Sequence, residues 1–183
     1  IKLEKKKIVD NKTEGIFILL EKCLSDFNIK KFSNVYFSTG PGSFTALRSI
    51  KAISQALALS SSSKILTASS FAPLLSSVQT NEKKVLVCFK STNNKFFYQL
   101  FEKTVKIFKS KLELKFGDQD QLLSYYFEKK KSYNDLLLIS SEKLVNINKT
   151  EMKYVIKKID ASDFANSVIV GYGSKNTKIL YHN

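Results

Sequence analysis

The segment that most constrains the fold is STGPGSFTALRS, from Ser38 to Ser49, because it joins a short apolar run to a stretch with helical periodicity. Pro41 locks its own φ angle and biases Gly40 toward extended geometry. Gly42 has no Cβ and is free to take the positive φ that a sharp bend needs. A chain that bends here passes directly from a buried strand into a helix, which is the basic unit of a layered α/β fold.

The same segment has two chemical interpretations. The N–H groups at the start of the following helix can bind an anion such as phosphate, or the bend can serve only to set the direction of that helix. The segment matches neither G-x-G-x-x-G nor a loop ending in Gly-Lys-Ser/Thr, which are the nucleotide-binding fingerprints. This favours a structural turn, in which Ser43 caps a helix that runs to about Leu59.

Strand and helix patterns alternate through the first 82 residues. Asn11 and Glu14 have the spacing of a capping box, and apolar residues follow at helical intervals up to Phe27. The predicted elements are strands at 1–9, 35–37 and 65–67, and helices at 11–27, at 43–59 and from Ser69 or Ser70 to Val78. This alternation predicts an α/β layer with parallel strands.

The pattern changes after residue 82. Apolar runs at 85–89, 96–101 and 104–109 predict an antiparallel meander. Asp118 is expected to cap a helix, 136–139 to form a strand, and Ser162 to cap a last helix closed by Gly173, before a terminal strand at 178–181. We therefore divide the chain into an N-terminal α/β lobe, 1–82, and a C-terminal α/β lobe, 83–183.

The net charge of +14 is the strongest compositional deviation. A lysine-rich surface can bind nucleic acid by releasing counterions, but Arg48 is the single arginine, and nucleic-acid grooves usually recruit the bidentate arginine fork. A general drift of composition toward lysine explains the charge equally simply. The basic runs at 5–7, 83–84, 129–131 and 157–158 are either solvated faces or a non-specific RNA-binding surface.

The positions of the cysteines and of the histidine, together with the hydropathy pattern, limit which kinds of site and which class of protein are expected. Cys23 and Cys88 lie in apolar stretches, which predicts reduced core cysteines of a cytoplasmic protein. The one histidine, His182, adjoins the C-terminus, so a histidine-based metal site or a Ser-His triad is not expected. No apolar run approaches the roughly 18 residues of a membrane helix. Because the chain begins with Ile1, we expect that residues precede it in the natural protein.

The stretch GPGSFTALRSIKAISQALALS, followed by KILTASSFAPL, resembles the TsaB (YeaZ) family, which is described as glycoprotease-like. The family signature at this place reads approximately GPGSFTGLRIG, followed by an alanine-rich helix and a strand. Ala46 replaces a usual glycine, and the similarity is strongest from about 35 to 72. The matching residues are Gly40, Pro41, Gly42, Ser43, Phe44, Thr45, Leu47 and Arg48.

The resemblance implies a two-lobed actin/Hsp70-like (ribonuclease H-like) fold. It also implies a non-catalytic scaffold that supports TsaD, the enzyme that transfers a threonylcarbamoyl group to an adenosine of tRNA. TsaE joins that assembly, members dimerise through their two N-terminal helices, and tRNA is contacted only indirectly or weakly. Neither a cofactor nor a membrane partner is implied.

Two departures from the family pattern bear on chemistry. The family opens with a β-hairpin that carries Asp-Thr-Ser at the phosphate-binding position, and this chain either begins after that hairpin or has lost it. The second-lobe strand of the family usually ends in Asp-Ala-Arg, where this chain has Lys90, Ser91 and Thr92. A lysine in place of a carboxylate removes a magnesium ligand. We therefore expect no catalytic residue, no metal and no nucleotide.

The residue pattern itself also points to a protein interface. The first helix is apolar over a broad arc, and only one side of it can face a sheet. Either a partner helix pair or the missing hairpin covers the rest. Arg48 is expected to pair with an acid, on a partner or on this chain. The predicted interface residues are Ile16, Leu19, Leu20, Cys23, Leu47 and Lys51.

Overall fold

The structure is a computed structural model that describes residues 18, 20, 21, 24, 25, 32–91, 94–145, 147 and 151–180. The predicted strand at 1–9 and most of the predicted helix at 11–27 lie outside this part. Ile18, Leu20, Glu21 and Leu24 have helical backbone, as that prediction requires.

The described chain contains eight strands, four α-helices and one π-helical turn. The strands are β1 (Asn34–Ser38), β2 (Lys64–Ala68), β3 (Lys84–Lys90), β4 (Phe96–Lys103), β5 (Phe108–Ser110), β6 (Lys115–Gly117), β7 (Leu136–Ser140) and β8 (Lys153–Ile156). The helices are α1 (Phe44–Ser61), α2 (Ala72–Ser77), α3 (Gln119–Ser132) and α4 (Ala161–Ser167), and α4 continues into the π-helical turn Val168–Tyr172.

The strands form two sheets, which confirms the predicted α/β class. β1 and β2 pair in parallel, with Val35 opposite Ile65 and Phe37 opposite Thr67. The second sheet has the order β5-β4-β3-β7-β8, and β6 also pairs with β4. The β3–β4–β5 part is antiparallel, as the meander prediction requires, whereas β3–β7 and β7–β8 are parallel.

The second sheet is covered on both faces, so its central strands are apolar throughout. All five residues of β7 are buried, which is typical of a parallel strand between two layers. On one face Leu86 and Cys88 pack with Leu122 and Tyr126 of α3. On the other face Val85 and its neighbours pack with aromatic rings and with α2.

Cys88 is a buried free thiol, which confirms the prediction of a reduced core cysteine; Cys23 lies outside the described residues. Burial raises the pKa of the Cys88 thiol to about 12, although its contact with Ser140 acts in the opposite direction. The thiolate is the reactive form of cysteine, so in the folded chain Cys88 is an inert packing residue.

The C-terminal segment returns to the first sheet. Thr67 and Ser174 form an isolated antiparallel bridge, and the N–H of Leu180 donates to the carbonyl of Thr39 at 2.8 Å. Val168 completes a small core with Ala68 and Ala72. The first sheet is therefore closed by residues from the far end of the chain, and the division at 82/83 stays a prediction.

Several predicted boundaries at the C-terminal end are wrong for identifiable reasons. Asp160, not Ser162, caps α4, because its carboxylate accepts from two backbone N–H groups and Asp163 completes a capping box. Gly173 ends the helical segment as predicted, with extended backbone, whereas the positive φ, 118°, belongs to Gly171 inside the turn. Residues 178–180 are irregular rather than a strand, since only isolated backbone hydrogen bonds hold them.

The second sheet also contains elements that the sequence patterns do not indicate. β5 begins at Phe108 rather than Thr104, because residues 104–107 form the hairpin turn. β6 and β8 are short strands at the sheet margins, and their amphipathic pattern is too brief to be distinctive. In the described part of the chain no helix is long and apolar enough to cross a membrane.

Asp118 caps α3 as predicted, and this contact supplies a stability test. Its Oδ1 accepts from the N–H of Gln121 at 2.9 Å, and the Gln121 side chain accepts from the N–H of Asp118 at 3.0 Å. We expect Asp118→Ala to lower the free energy of unfolding by about 1 kcal/mol. Asp118→Asn retains a capping acceptor and serves as the control in urea titrations. Equal losses for the two variants would show that the cap is not the source of the effect.

Candidate functional site

The turn after β1 is held by backbone groups from two distant segments. The N–H of Thr39 donates to the carbonyl of Ala68 at 2.9 Å, and the carbonyl of Gly40 accepts from the N–H of Ser70 at 2.8 Å. The hydroxyls of Ser38 and Ser70 lie 2.7 Å apart. These contacts tie the ends of the two parallel strands together at the point where the chain enters α1.

Gly40, not Gly42, carries the positive φ of this turn, with a value of 96°. The positive φ therefore lies two residues before the predicted position, and the peptide bond between Gly40 and Pro41 is cis. A Cβ built on Gly40 would lie 2.9 Å from Leu47 Cδ1 and 3.0 Å from the carbonyl oxygen of Leu180. Gly40 is therefore required both by its conformation and by the space around it.

Ser43 occupies the predicted N-cap position of α1, but its side chain makes no capping hydrogen bond to the helix. It is exposed, and α1 gains its direction from packing instead. Leu47 is 5% exposed and lies against Gly40 and Gly42. Leu47 thus supports the turn from below and does not face outward, although it was predicted at the interface.

The opposite side of α1 is solvent-exposed along its whole length. Leu47, Ser54 and Ala58 are its buried residues, and the exposed positions recur at helical spacing on the other side. Phe44 is 49% exposed and Leu59 is 85% exposed, with alanines between them. We call this surface the α1 face; it consists of Phe44, Thr45, Arg48, Ala52, Gln55, Ala56 and Leu59.

Arg48 lies on the α1 face and stacks on an aromatic ring of its own helix. Its guanidinium carbon is 3.9 Å from the centroid of the Phe44 ring, one helical turn away. Such a cation–π contact is worth about 0.5–1 kcal/mol at an exposed site. Among the described residues this contact takes the place of the ion pair predicted on this chain. The stacked pair presents a flat surface with one positive charge.

Of the remaining predicted interface residues, only Leu20 and Lys51 belong to the part of the chain that the structure describes. Lys51 of α1 and Leu20, which precedes β1 in the chain, are both half-buried. Ile16, Leu19 and Cys23 are outside the described residues. The periodicity of α1 predicts its buried side, but it does not identify Ala52, Ala56 and Leu59 as the outward stripe. Alanines at i and i+4 spacing are the signal that identifies that stripe, because small side chains allow close helix approach.

Several lysines of the basic runs are paired with nearby acceptors. Lys84 Nζ is 3.2 Å from a Glu102 carboxylate oxygen, and Lys129 Nζ is 2.7 Å from Glu128. Hydrogen bonds from Lys111 and then Lys84 hold the pKa of Glu102 below its usual range. The lysine run at 5–7 lies outside the described residues. A part of the positive charge is therefore used in local surface ion pairs.

The described residues offer little for catalysis. They contain no group of three or more His, Cys, Asp and Glu side chains that would hold a metal ion. At the end of β3 the Lys90 ammonium lies 3.9 Å from Glu142, so the position at which the resembling family has an aspartate carries a cation beside an acid. The hydroxyls of Ser38 and Ser70 contact each other rather than a general base. These groups therefore form a surface of defined shape that another molecule can contact.

Comparisons with known proteins give one family and one fold. The family described as TsaD, tRNA N6-adenosine threonylcarbamoyltransferase, matches residues 8–174. A structure of an uncharacterized protein with similarity to peptidase YeaZ from Pseudomonas aeruginosa matches 88% of this chain and 77% of its own, with TM-score 0.52 and 13% identity. This likeness shows the fold, and the predicted actin/Hsp70-like architecture is confirmed.

The structure of YeaZ from Pseudomonas aeruginosa matches 56% of this chain and 49% of its own, with TM-score 0.41 and 16% identity. Among curated proteins there is no significant match.

The two glycines of the turn supply a matched pair of substitutions. We expect Gly40→Ala to lower the free energy of unfolding by about 2 kcal/mol or more, because it adds a clash to a strained backbone. At Gly42 the added Cβ would lie 3.8 Å from Leu47, an ordinary contact, so Gly42→Ala should cost less than about 0.5 kcal/mol. Thermal and urea unfolding measure both values. A Gly42 variant as unstable as the Gly40 variant would contradict this description of the turn.

Proposed function

Because the chain belongs to the TsaD family, whose chemistry is the threonylcarbamoylation of tRNA adenosine, we propose that it is a scaffold subunit of that modification. In this proposal the chain supports a TsaD-like enzyme through helix-mediated association and carries out no reaction itself. A TsaE-like protein joins the same assembly, and tRNA meets this chain only weakly or through its partner. Such a subunit works in the cytoplasm, where tRNA is modified.

The observation that supports the proposal is the composition of the α1 face. Phe44 and Leu59 expose apolar surface at its two ends, and Ala52 and Ala56 keep its centre thin. Single exposed apolar residues are ordinary, but a continuous stripe of apolar and small residues along one helix is typical of a docking surface. A helix with alanines in this arrangement admits another helix at close distance.

The direction of α1 matters as much as its composition. The turn at Gly40 is fixed by hydrogen bonds to β2 and to the C-terminal segment, and Leu47 locks the helix onto the turn. Little conformational freedom is then lost when the α1 face meets a partner, which lowers the cost of association. The signature residues from Gly40 to Arg48 serve, in this proposal, to present the face rigidly.

A non-catalytic role fits the residues at the end of β3. Lys90 takes the place of the acid that the resembling family carries there, and its ammonium lies near Glu142. A cation at this position repels a metal ion instead of binding it. The exposed helix face is then the feature of the described chain through which it can contribute.

Charge insertion at the centre of the α1 face tests the proposal. We expect Ala56→Arg to weaken association of this chain with itself or with a TsaD-like paralogue at least about tenfold, because an unpaired charge would be buried between helices. Sedimentation velocity of the chain alone, and of its mixture with the paralogue, gives the dissociation constants. Val145→Arg is the control, since Val145 is 63% exposed in the second lobe. A chain that stays monomeric in both samples, or an Ala56 variant that associates normally, would overturn the proposal.

Direct, non-specific RNA binding is the alternative, and the net charge of +14 favours it. Under this alternative the chain binds tRNA without the paralogue, with no sequence preference and with an affinity that falls steeply as salt rises. Filter binding at two salt concentrations distinguishes the two functions, because helix docking is retained at moderate salt. The Ala56→Arg variant should leave such RNA binding unchanged or slightly stronger.

A further inference from the structure

A pocket of about 640 Å³ lies where three separate segments meet, and it shares no residue with the α1 face. One wall is the connection that follows α2, the second is the β4–β5 hairpin, and the third is the π-helical turn. Its volume falls within the range of small-molecule sites, roughly 300–1,000 Å³. We call it the hairpin pocket; its lining residues used below are Leu75, Val78, Thr80, Lys103, Lys106, Ile107, Phe108, Val170 and Tyr172.

The floor of the hairpin pocket is apolar. Leu75 and Phe108 are 4% and 7% exposed and belong to the core under the second sheet. Val78 packs against the same core, and Val170 adds an apolar wall that is 56% exposed. An apolar group that enters the pocket therefore finds a surface of aliphatic and aromatic carbon that water does not solvate well.

The rim of the hairpin pocket is positively charged. Lys103 Nζ donates to the carbonyl of Thr80 at 2.6 Å and lies 5.9 Å from the centroid of the Phe108 ring. Lys106 is exposed at the hairpin tip, and within the described chain it has no ion-pair partner. No Asp or Glu is among the described residues that line the pocket. Two ammonium groups thus border it without a balancing carboxylate.

Tyr172 provides a hydroxyl at the same site. Its oxygen accepts from the N–H of Phe108 at 3.0 Å, and in the described chain no hydrogen bond uses its proton. Burial raises the pKa of Tyr172, so the hydroxyl keeps this proton at neutral pH. Gly171 has a φ of 118°. A Cβ built on Gly171 would lie 3.5 Å from Cγ2 of Ile107, so the turn lies close to the hairpin.

We propose that the hairpin pocket binds a small organic anion that carries a carboxylate on an apolar body. The apolar body lies on Leu75 and Phe108, and the carboxylate meets Lys106, Lys103 and the hydroxyl of Tyr172. Charge-assisted hydrogen bonds to a carboxylate are the stronger class of such contacts. The kink at Gly171, directly before Tyr172, is the feature that places the hydroxyl beside the hairpin.

A matched set of three small molecules tests this chemistry in the intact chain. Hexanoate combines an apolar body with a carboxylate, hexanamide keeps the body without the charge, and acetate keeps the charge without the body. Amide NMR shifts at Phe108, Val170 and Tyr172 report occupancy. We expect hexanoate to saturate in the millimolar range, and the other two to bind about tenfold more weakly or not at all. Hexanamide or acetate binding as well as hexanoate, or hexanoate shifting none of these amides, would overturn the proposal.

Three variants locate the carboxylate. Lys106→Gln and Tyr172→Phe should each weaken hexanoate about fivefold, the effect of one lost hydrogen bond or charge contact. Lys109→Gln is the control, because Lys109 is an exposed lysine of β5 that does not line the pocket. Should Tyr172→Phe unfold the chain, Lys106→Gln alone decides. An unchanged affinity in Lys106→Gln, or an equal loss in Lys109→Gln, contradicts the assignment.

Discussion

The arrangement of the first sheet and of α1 depends on the backbone at Thr39 and Gly40. Three main-chain groups, from Ala68, Ser70 and Leu180, bond to this backbone. The absence of a side chain on Gly40 allows Leu47 and the carbonyl of Leu180 to approach. Backbone polar groups that are removed from water must find partners. The contacts at this turn also determine where three elements lie: β2 beside β1, α1 above both strands, and the C-terminal segment across the ends of the strands.

The sequence predicts the elements whose signals are local. A capping box needs only Asp118 and Gln121, and a buried strand such as β7 needs only an unbroken apolar run. From the sequence, Gly42 is free to take the positive φ of the turn because it has no Cβ. In the structure the positive φ is at Gly40, where there is no room for a Cβ beside the carbonyl oxygen of Leu180. That residue lies 140 positions away along the printed chain, and no local pattern contains it.

The candidate surfaces show the same limit. Helical periodicity separates the buried side of α1, at Leu47, Ser54 and Ala58, from the rest, but the outward stripe becomes defined only once the sheet beneath it is known. The hairpin pocket is even harder to predict from the sequence, because its lysines, its phenylalanine and its tyrosine come from segments that share no motif. Charge counted along the chain is likewise a poor guide, because ion pairs such as Lys84 with Glu102 use part of it at the surface.

The closure of the first sheet by the C-terminal segment has a consequence for the order in which the polypeptide folds during synthesis. Thr67 is bridged by Ser174, and Thr39 accepts a hydrogen bond from Leu180. β1 and β2 therefore gain partners from residues that are synthesised after all the described strands. Within the described residues this sheet has two strands, and a two-stranded sheet is marginal by itself. The second sheet, whose strands all lie between Lys84 and Ile156, can assemble earlier. Within the described residues, the sheet that is synthesised first is therefore the one that is completed last.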